Sequence, residues 1–489
     1  MPEACVIGAG FGGISAALRL KAKGYSVTII DRCSQLGGRA QVFEKNGYKF
    51  DAGPTVVTAP FLFDELFEIF DKKREDYIEF IPLNPWYRFV YPDGDFFDYG
   101  GTVEDTLREI ERIHPPDCKN YLKLLNKSKN IFDVGFTQLA DEPFHQLKSM
   151  LKQVPNLLRL NSFKTVWGLV SGCLKHEKLR QAFSIQPLLV GGNPFDTTCI
   201  YNLIHYLERE WGIHFAMGGT GAIVSGLEKL MIEEGIQIHL NETITEINSS
   251  GKIIHSIKSD TGKEYTPDLV VSNADPTHLY GTMVPKNAQR LSAKIKKKYS
   301  KLSMGLFVLY FGTNKVYEDV VHHTIWLGKR YKPLLKDIFH NKVLAEDFSL
   351  YVHRPTATDP SFAPEGCDSF YVLSPVPNLQ ANVDWEKEGE IYADKIITAL
   401  EKTMLPGLRD SLEVKFHMTP QDFANDYLSN YGTGFSIAPT LTQSAWFRFH
   451  NKAEGPDNLY LVGAGTHPGA GLPGVISSAK VVEKLVPAV

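Results

Sequence analysis

Between the apolar run Ala4-Cys5-Val6-Ile7 and a helical stretch through Leu18-Arg19-Leu20, the chain reads Gly8-Ala9-Gly10-Phe11-Gly12-Gly13. The chemistry this spacing suggests is phosphate binding. A strand feeding a side-chain-free turn and then a helix leaves the first helical N–H groups without acceptors, and these attract an anion. Gly8 permits the tight turn, Gly10 with Gly12 lets backbone approach a pyrophosphate, and Gly13 lets the helix settle on the sheet. After a turn at Gly24, the strand Ser26–Ile30 ends at Asp31 and Arg32, where the hydroxyls of a ribose need an acceptor. Standing alone, such a turn is a weak signal, because packing also produces it.

Three further segments decide for a flavin dinucleotide over a nicotinamide one, which needs none of them. Gly37-Gly38-Arg39 follows the second strand, and Arg39 is placed to stand by the pyrophosphate as a charge-assisted donor. Asp51-Ala52-Gly53-Pro54-Thr55 follows. Near the C-terminus, Gly463-Ala464-Gly465 and Gly471-Leu472-Pro473-Gly474 belong to a strand, turn and helix whose N-terminus can face the flavin ring. FAD is the expected cofactor.

These segments must be positioned by more than one unit, and 489 residues, 43% of them hydrophobic, suffice for two or three cores. The expected fold is an α/β, discontinuous Rossmann-type FAD domain joined to an α+β domain with an antiparallel sheet. The FAD domain takes residues 1–85, 216–285 and 416–489. The substrate domain takes 86–215, which includes a helical membrane-facing cap, and 286–415. Strands are expected in the aromatic segment Asn84 to Tyr91, and at Ile236 to Leu240, Leu269 to Val271, Met304 to Phe311 and Leu459 to Val462, with mostly helix from about 105 to 210. A net charge of −4 sets up no field that recruits nucleic acid. Cys5, Cys33, Cys118, Cys173, Cys199 and Cys367 form no C-x-x-C pair, which argues against zinc, a redox dithiol or a disulfide framework. No run approaches a membrane span, and the opening residues leave no room for a signal peptide, so a cytoplasmic location is expected.

The glycine segments, together with Leu188-Leu189-Val190-Gly191-Gly192-Asn193-Pro194-Phe195, Leu207-Glu208-Arg209-Glu210-Trp211-Gly212, Gly218-Gly219-Thr220-Gly221-Ala222 and Leu441-Thr442-Gln443-Ser444-Ala445-Trp446-Phe447-Arg448, closely resemble the bacterial phytoene desaturases of the CrtI type. The likeness spans essentially the whole chain. It implies an amine-oxidase-like flavoprotein fold and stepwise desaturation of a long acyclic carotenoid, 15-cis-phytoene, toward lycopene. It further implies FAD as sole redox cofactor and oxygen or a quinone as electron acceptor. A thirty-carbon carotenoid, another enzyme of the amine-oxidase fold and a flavin-free lipid escort protein are the alternatives; the intact C-terminal glycine segment speaks against the last.

No nucleophile, metal cluster or Ser/His/Asp arrangement is expected, because the flavin carries the redox chemistry. In some relatives an acid and an arginine in the helical segment are considered for proton transfer, but here that stretch reads Ser149-Met150-Leu151-Lys152. Lys152, Arg448 and His467 are the remaining catalytic candidates, each also open to a structural reading. Glu208, Arg209 and Glu210 read as a solvated helix face, and the pair His322-His323 as an ordinary surface or strand feature without a metal. From Pro143 to Arg180, seven Lys and Arg residues with one acid interleave with Leu151, Val154, Leu157, Leu158 and Phe163, a basic amphipathic stretch suited to an anionic bilayer. A hydrocarbon substrate makes that fit physical, because it must be drawn straight from lipid. The protein is expected as a peripheral one on the inner face of the cell membrane, a homo-oligomer there being one option.

Overall fold

The computed structural model describes residues 1–489. Its first sheet is wholly parallel and has five strands, in the order Leu459–Leu461, Leu269–Ser272, Glu3–Ile7, Ser26–Ile30, Gln237–His239. The strands come from three separate stretches of chain, so the expected discontinuity is built into the sheet itself. Helices cover it, which is why Val27, Ile29 and Ile30 are buried along with Val6 and Ile7. The helices Phe11–Ala22 and Leu472–Leu485 pack side by side. Arg19 of the first donates to Glu483 of the second at 2.7 Å and to Glu65 at 3.0 Å.

A second sheet has seven strands, in the order Leu412–Met418, Gly305–Thr313, Asp368–Val376, Leu350–His353, His323–Trp326, Tyr87–Val90, Phe96–Tyr99. It is antiparallel apart from the pairing of His323–Trp326 with Tyr87–Val90. All nine residues of Gly305–Thr313 are buried, because both faces of this strand are covered. Leu306, Val308 and Tyr310 point into one core, while Phe307, Leu309 and Phe311 point into another that the helix Trp385–Thr403 closes. A doubly covered strand loses the polar half of its alternation.

From Val103 to Trp211 the chain is mostly helical. The helix Leu203–Trp211 turns Leu207 and Glu208 inward, packs against Asp117–Gly135 and leads back toward the first sheet. The helix Leu147–Arg159 differs from the others in having no buried residue.

Candidate functional site

The cradle is built where the parallel strands end. The helix Phe11–Ala22 starts from Gly10, and Leu472–Leu485 from Gly471; neither N-terminus has a side-chain cap or an acid in its first turn. Two sets of unpaired N–H groups and two positive dipole ends are therefore left in the wall of one cavity of about 510 Å³. Gly471 holds φ +91°, which a side-chain-bearing residue would adopt only with strain.

Asn273, just past the strand Leu269–Ser272, is the residue around which the turns close. Its N–H bonds the Ile7 carbonyl at 2.8 Å. A Cβ on Gly12 would stand 2.6 Å from its Oδ1, one on Gly463 2.4 Å from the same atom, and one on Gly10 2.9 Å from its Nδ2. The glycines at these three places are thus demanded by a neighbouring amide as well as by room for a ligand. Asn273 also lines the cavity. In the sequence it marks only a strand end; the signal that points to it is a polar residue at the carboxyl end of a central parallel strand.

Most residues expected to hold a dinucleotide line this cavity: Gly8, Gly10, Gly12, Asp31, Arg32, Gly37, Gly38, Arg39, Gly53, Pro54, Thr55, Gly463, Ala464, Gly465, Gly471, Leu472, Pro473 and Gly474. Gly13 and Asp51 do not. A Cβ on Gly13 would lie 1.9 Å from the Gly8 carbonyl oxygen, so this glycine serves helix packing. Asp51 is buried and accepts the Thr220 N–H at 2.9 Å, holding the start of the helix Gly219–Glu233. Asp31 accepts the Ala9 N–H at 2.5 Å and the Cys33 N–H at 2.8 Å, and its carboxylate keeps lone pairs for a hydroxyl. Arg39 donates to the carbonyls of Gly434 at 2.6 Å and Thr433 at 3.3 Å and to the Ser429 hydroxyl at 2.9 Å. Much of its donor set is therefore engaged by protein. Arg32 donates to the carbonyls of Asn425 and Asp426.

The three catalytic candidates do not converge on the cavity. Arg448 is buried and donates to the carbonyls of Thr466, Gln443, Ile437 and Ala464. His467 donates from Nε2 to the Leu139 carbonyl at 3.0 Å and packs on Phe144, and burial brings its pKa down to about 4. Lys152 is exposed on Leu147–Arg159.

Beyond the glycine turns the cavity continues into an apolar chamber between the helical segment and the seven-stranded sheet, walled by Ile185, Leu188, Leu207, Ile325, Leu350 and Leu373. Polar groups interrupt it in two places. The Thr55 and Tyr351 hydroxyls are 2.6 Å apart, and the Tyr351 hydroxyl is 2.7 Å from Nδ1 of His323. On the other wall stands Glu208, which is 0% exposed and so does not belong to a solvated helix face; Glu210 does, and Arg209 is half-buried. The histidine pair is likewise not superficial. His322 and His323 are buried, and sheet pairing brings His353 beside them. Burial holds the first two well below the usual histidine range, so both are neutral.

The family model for flavin containing amine oxidoreductases matches residues 11–482. Phytoene desaturase (lycopene-forming) of Pantoea ananas is 44% identical over 487 residues, 99% of each chain. The chain belongs to this flavoprotein family, among the phytoene desaturases. This phytoene-desaturase-family protein is also 44% identical, over 99% of each chain, to the lycopene-forming enzyme of Pseudescherichia vulneris. The 4,4'-diapophytoene desaturase of Methylomonas sp is more distant, at 33% over 98% of this chain and 94% of its own. Among solved structures, putrescine oxidase bound to putrescine superposes with a TM-score of 0.67 at 13% identity over 99% of this chain and 98% of its own, a likeness of fold. The desaturase-family protein is thus a flavoprotein, and the paired helix N-termini, the Asp31 carboxylate and the glycine floor fit FAD.

Proposed function

We propose that the protein desaturates 15-cis-phytoene stepwise toward lycopene with FAD, passing the electrons on to oxygen or a quinone. The observation that carries this reading is the continuity of one cavity from a dinucleotide cradle into a chamber lined mostly by apolar side chains. The helix beginning at Phe11 and the Gly8–Gly13 turn would hold the pyrophosphate, Asp31 the ribose, and the Gly463–Gly474 segment the flavin end; the cofactor domain comprises residues 1–85, 216–285 and 416–489. Bound FAD supplies the acceptor for a hydride from an allylic carbon. The chain's own task is to align the hydrocarbon beside that acceptor and to keep water out, which the aliphatic walls do.

The route of substrate entry follows from the exposed surface. Leu147, Leu151, Val154 and Leu158 lie on one face of the helix Leu147–Arg159, exposed by 51%, 60%, 40% and 65%, and Phe163 extends the row at 65%. Lys148, Lys152, Arg159 and Lys164 flank them. Apolar side chains flanked by cations suit the interface of an anionic bilayer. No helix is long and apolar enough to cross a membrane. At about 0.8 kcal/mol per CH2, a forty-carbon chain would cost tens of kcal/mol to move through water, so the protein takes its substrate directly from the membrane, with the inner face as the proposed side.

FAD-loaded protein incubated with phytoene in liposomes tests the reading. Successive longer-wavelength polyene bands are expected. Conversion of diapophytoene with phytoene left untouched would move the assignment to the thirty-carbon substrate, and inertness toward both would overturn it.

A further inference from the structure

The helix Leu291–Tyr299 has a single buried residue, Ala293, and three large apolar ones in water: Leu291, Ile295 and Tyr299 are exposed by 72%, 49% and 67%. At 3.6 residues per turn these three share an arc of about 80°, and Ala293 lies at least about 120° round the helix from any of them. The apolar row therefore points away from the side that packs on the protein. Single exposed apolar side chains are ordinary on a surface, but three stacked at i, i+4 and i+8 make a stripe. The stretch is also one-sided in charge. Residues 285–301 hold seven Lys and Arg residues and no acid, and Lys294 and Lys298 stand exposed on the flank of the stripe.

One lysine of the helix turns inward and tethers it. Nζ of Lys296 donates to the carbonyls of Arg448 at 2.6 Å and Trp446 at 3.3 Å and pairs with Glu454 at 3.1 Å. Trp446 belongs to the turn Ala445–Phe447, which also packs against the helix Leu147–Arg159, and Phe447 in that turn is 39% exposed. Two basic helices with exposed apolar rows, from distant parts of the chain, are thus joined through one partly exposed aromatic turn.

We propose that Leu291–Tyr299 is a second lipid contact, and that its stripe and lysines, the Phe447 turn and the helix Leu147–Arg159 form one two-part footprint on an anionic bilayer. The proposal rests on the reading of the protein as one that draws its substrate from lipid. Leu291, Ile295 and Tyr299 enter the boundary between headgroups and acyl chains, while the lysine stems run along it and carry their charges to the phosphates. Charge selects this occupant over a second copy of the chain, which would set the same cations against one another. The second anchor also adds something the first cannot supply. A single helix lying in the interface is free to roll about its own axis; a second one, held to the body through Lys296, stops that roll and fixes how the molecule sits on the surface.

The test is flotation of FAD-loaded protein with vesicles of phosphatidylcholine alone or mixed with phosphatidylglycerol. Leu291→Asp with Ile295→Asp is expected to lower flotation on the anionic vesicles by about tenfold, and Lys294→Glu with Lys298→Glu to do so on the anionic vesicles while changing little on the neutral ones. A further variant, Ile295→Trp, keeps the stripe apolar and reads the contact directly: its added tryptophan emission is expected to shift to shorter wavelength on the vesicles and to be quenched by bromine-labelled lipid. This second measurement decides the matter should the aspartate pair not fold. Flotation of the aspartate pair within about threefold of wild type, well short of the expected loss, or an added tryptophan left unquenched, would overturn the proposal. So would an aspartate pair that floats normally but loses self-association in light scattering, which would assign the stripe to a contact between copies. Wild-type protein that floats with neither vesicle would instead overturn the membrane reading itself, the helix Leu147–Arg159 included.

Discussion

The Arg448 guanidinium donates to the Ala464 carbonyl at 2.5 Å, and through this bond a fully buried cation holds the glycine-rich turn that forms one wall of the cradle. Thr466, Gln443 and Ile437 supply further carbonyl acceptors, so the side chain is a clamp on backbone and does not reach the cavity.

Replacing Arg448 with Met should therefore cost stability and cofactor before it affects chemistry. Several buried carbonyls lose their donor at once, each at about 1–3 kcal/mol before relaxation. The expected outcome is a lower Tm and a preparation largely free of FAD, measured by thermal unfolding and flavin absorbance. A yellow, fully loaded variant with reduced kcat would return Arg448 to the chemistry.

Gly13→Ala is expected to fail in folding itself, not in FAD binding alone. At Gly13 the new Cβ would meet the Gly8 carbonyl oxygen at 1.9 Å, backbone against backbone, with no flexible group to yield. Overpacking of this kind costs upward of about 3 kcal/mol. Loss of soluble folded protein, read by expression and circular dichroism, is the result anticipated.

The cradle was legible in the sequence because its requirements are local. A turn that must pass without side chains writes glycine, and Gly8, Gly10 and Gly12 stand where the cavity needs them. The strand Gly305–Thr313 was legible through its unbroken apolar run. Glu208 was not legible. In sequence, Glu208-Arg209-Glu210 has the composition of a solvated helix face, and its burial depends on Tyr87, 121 residues earlier in the chain. His353 joins the histidine pair only through strand pairing of His323 with His353. Arg448 and His467 adjoin the glycine segments in sequence, yet both side chains point into protein and bond to carbonyls.

Leu151→Asp with Leu158→Asp should detach the protein from lipid without unfolding it, since neither side chain is buried. Flotation with anionic liposomes is expected to drop at least about tenfold, because two apolar anchors are lost and two negative charges face anionic headgroups. Thermal stability should stay within about 0.5 kcal/mol. Undiminished flotation would place the membrane contact elsewhere.

Acid lability follows from the buried histidines. His467 and His450 are each lowered to about 4 by burial. A depressed folded-state pKa means that the unfolded chain binds the proton first, so the stability these groups contribute is complete above about 6.5 and is lost as pH falls toward about 4. Tm should decline through that window, and His467→Gln should make the decline shallower. An equally steep decline in the variant would remove His467 from the account.

In the proposed function, flavin and hydrocarbon share one cavity and exchange electrons directly. Its most direct test is an oxygen-free titration of FAD-loaded protein with phytoene in liposomes, following flavin absorbance and product together. Loss of the oxidised flavin absorbance in step with one new double bond per flavin bound is the expected result. A flavin that stays oxidised in the presence of phytoene, while free to be reduced by dithionite, would contradict it.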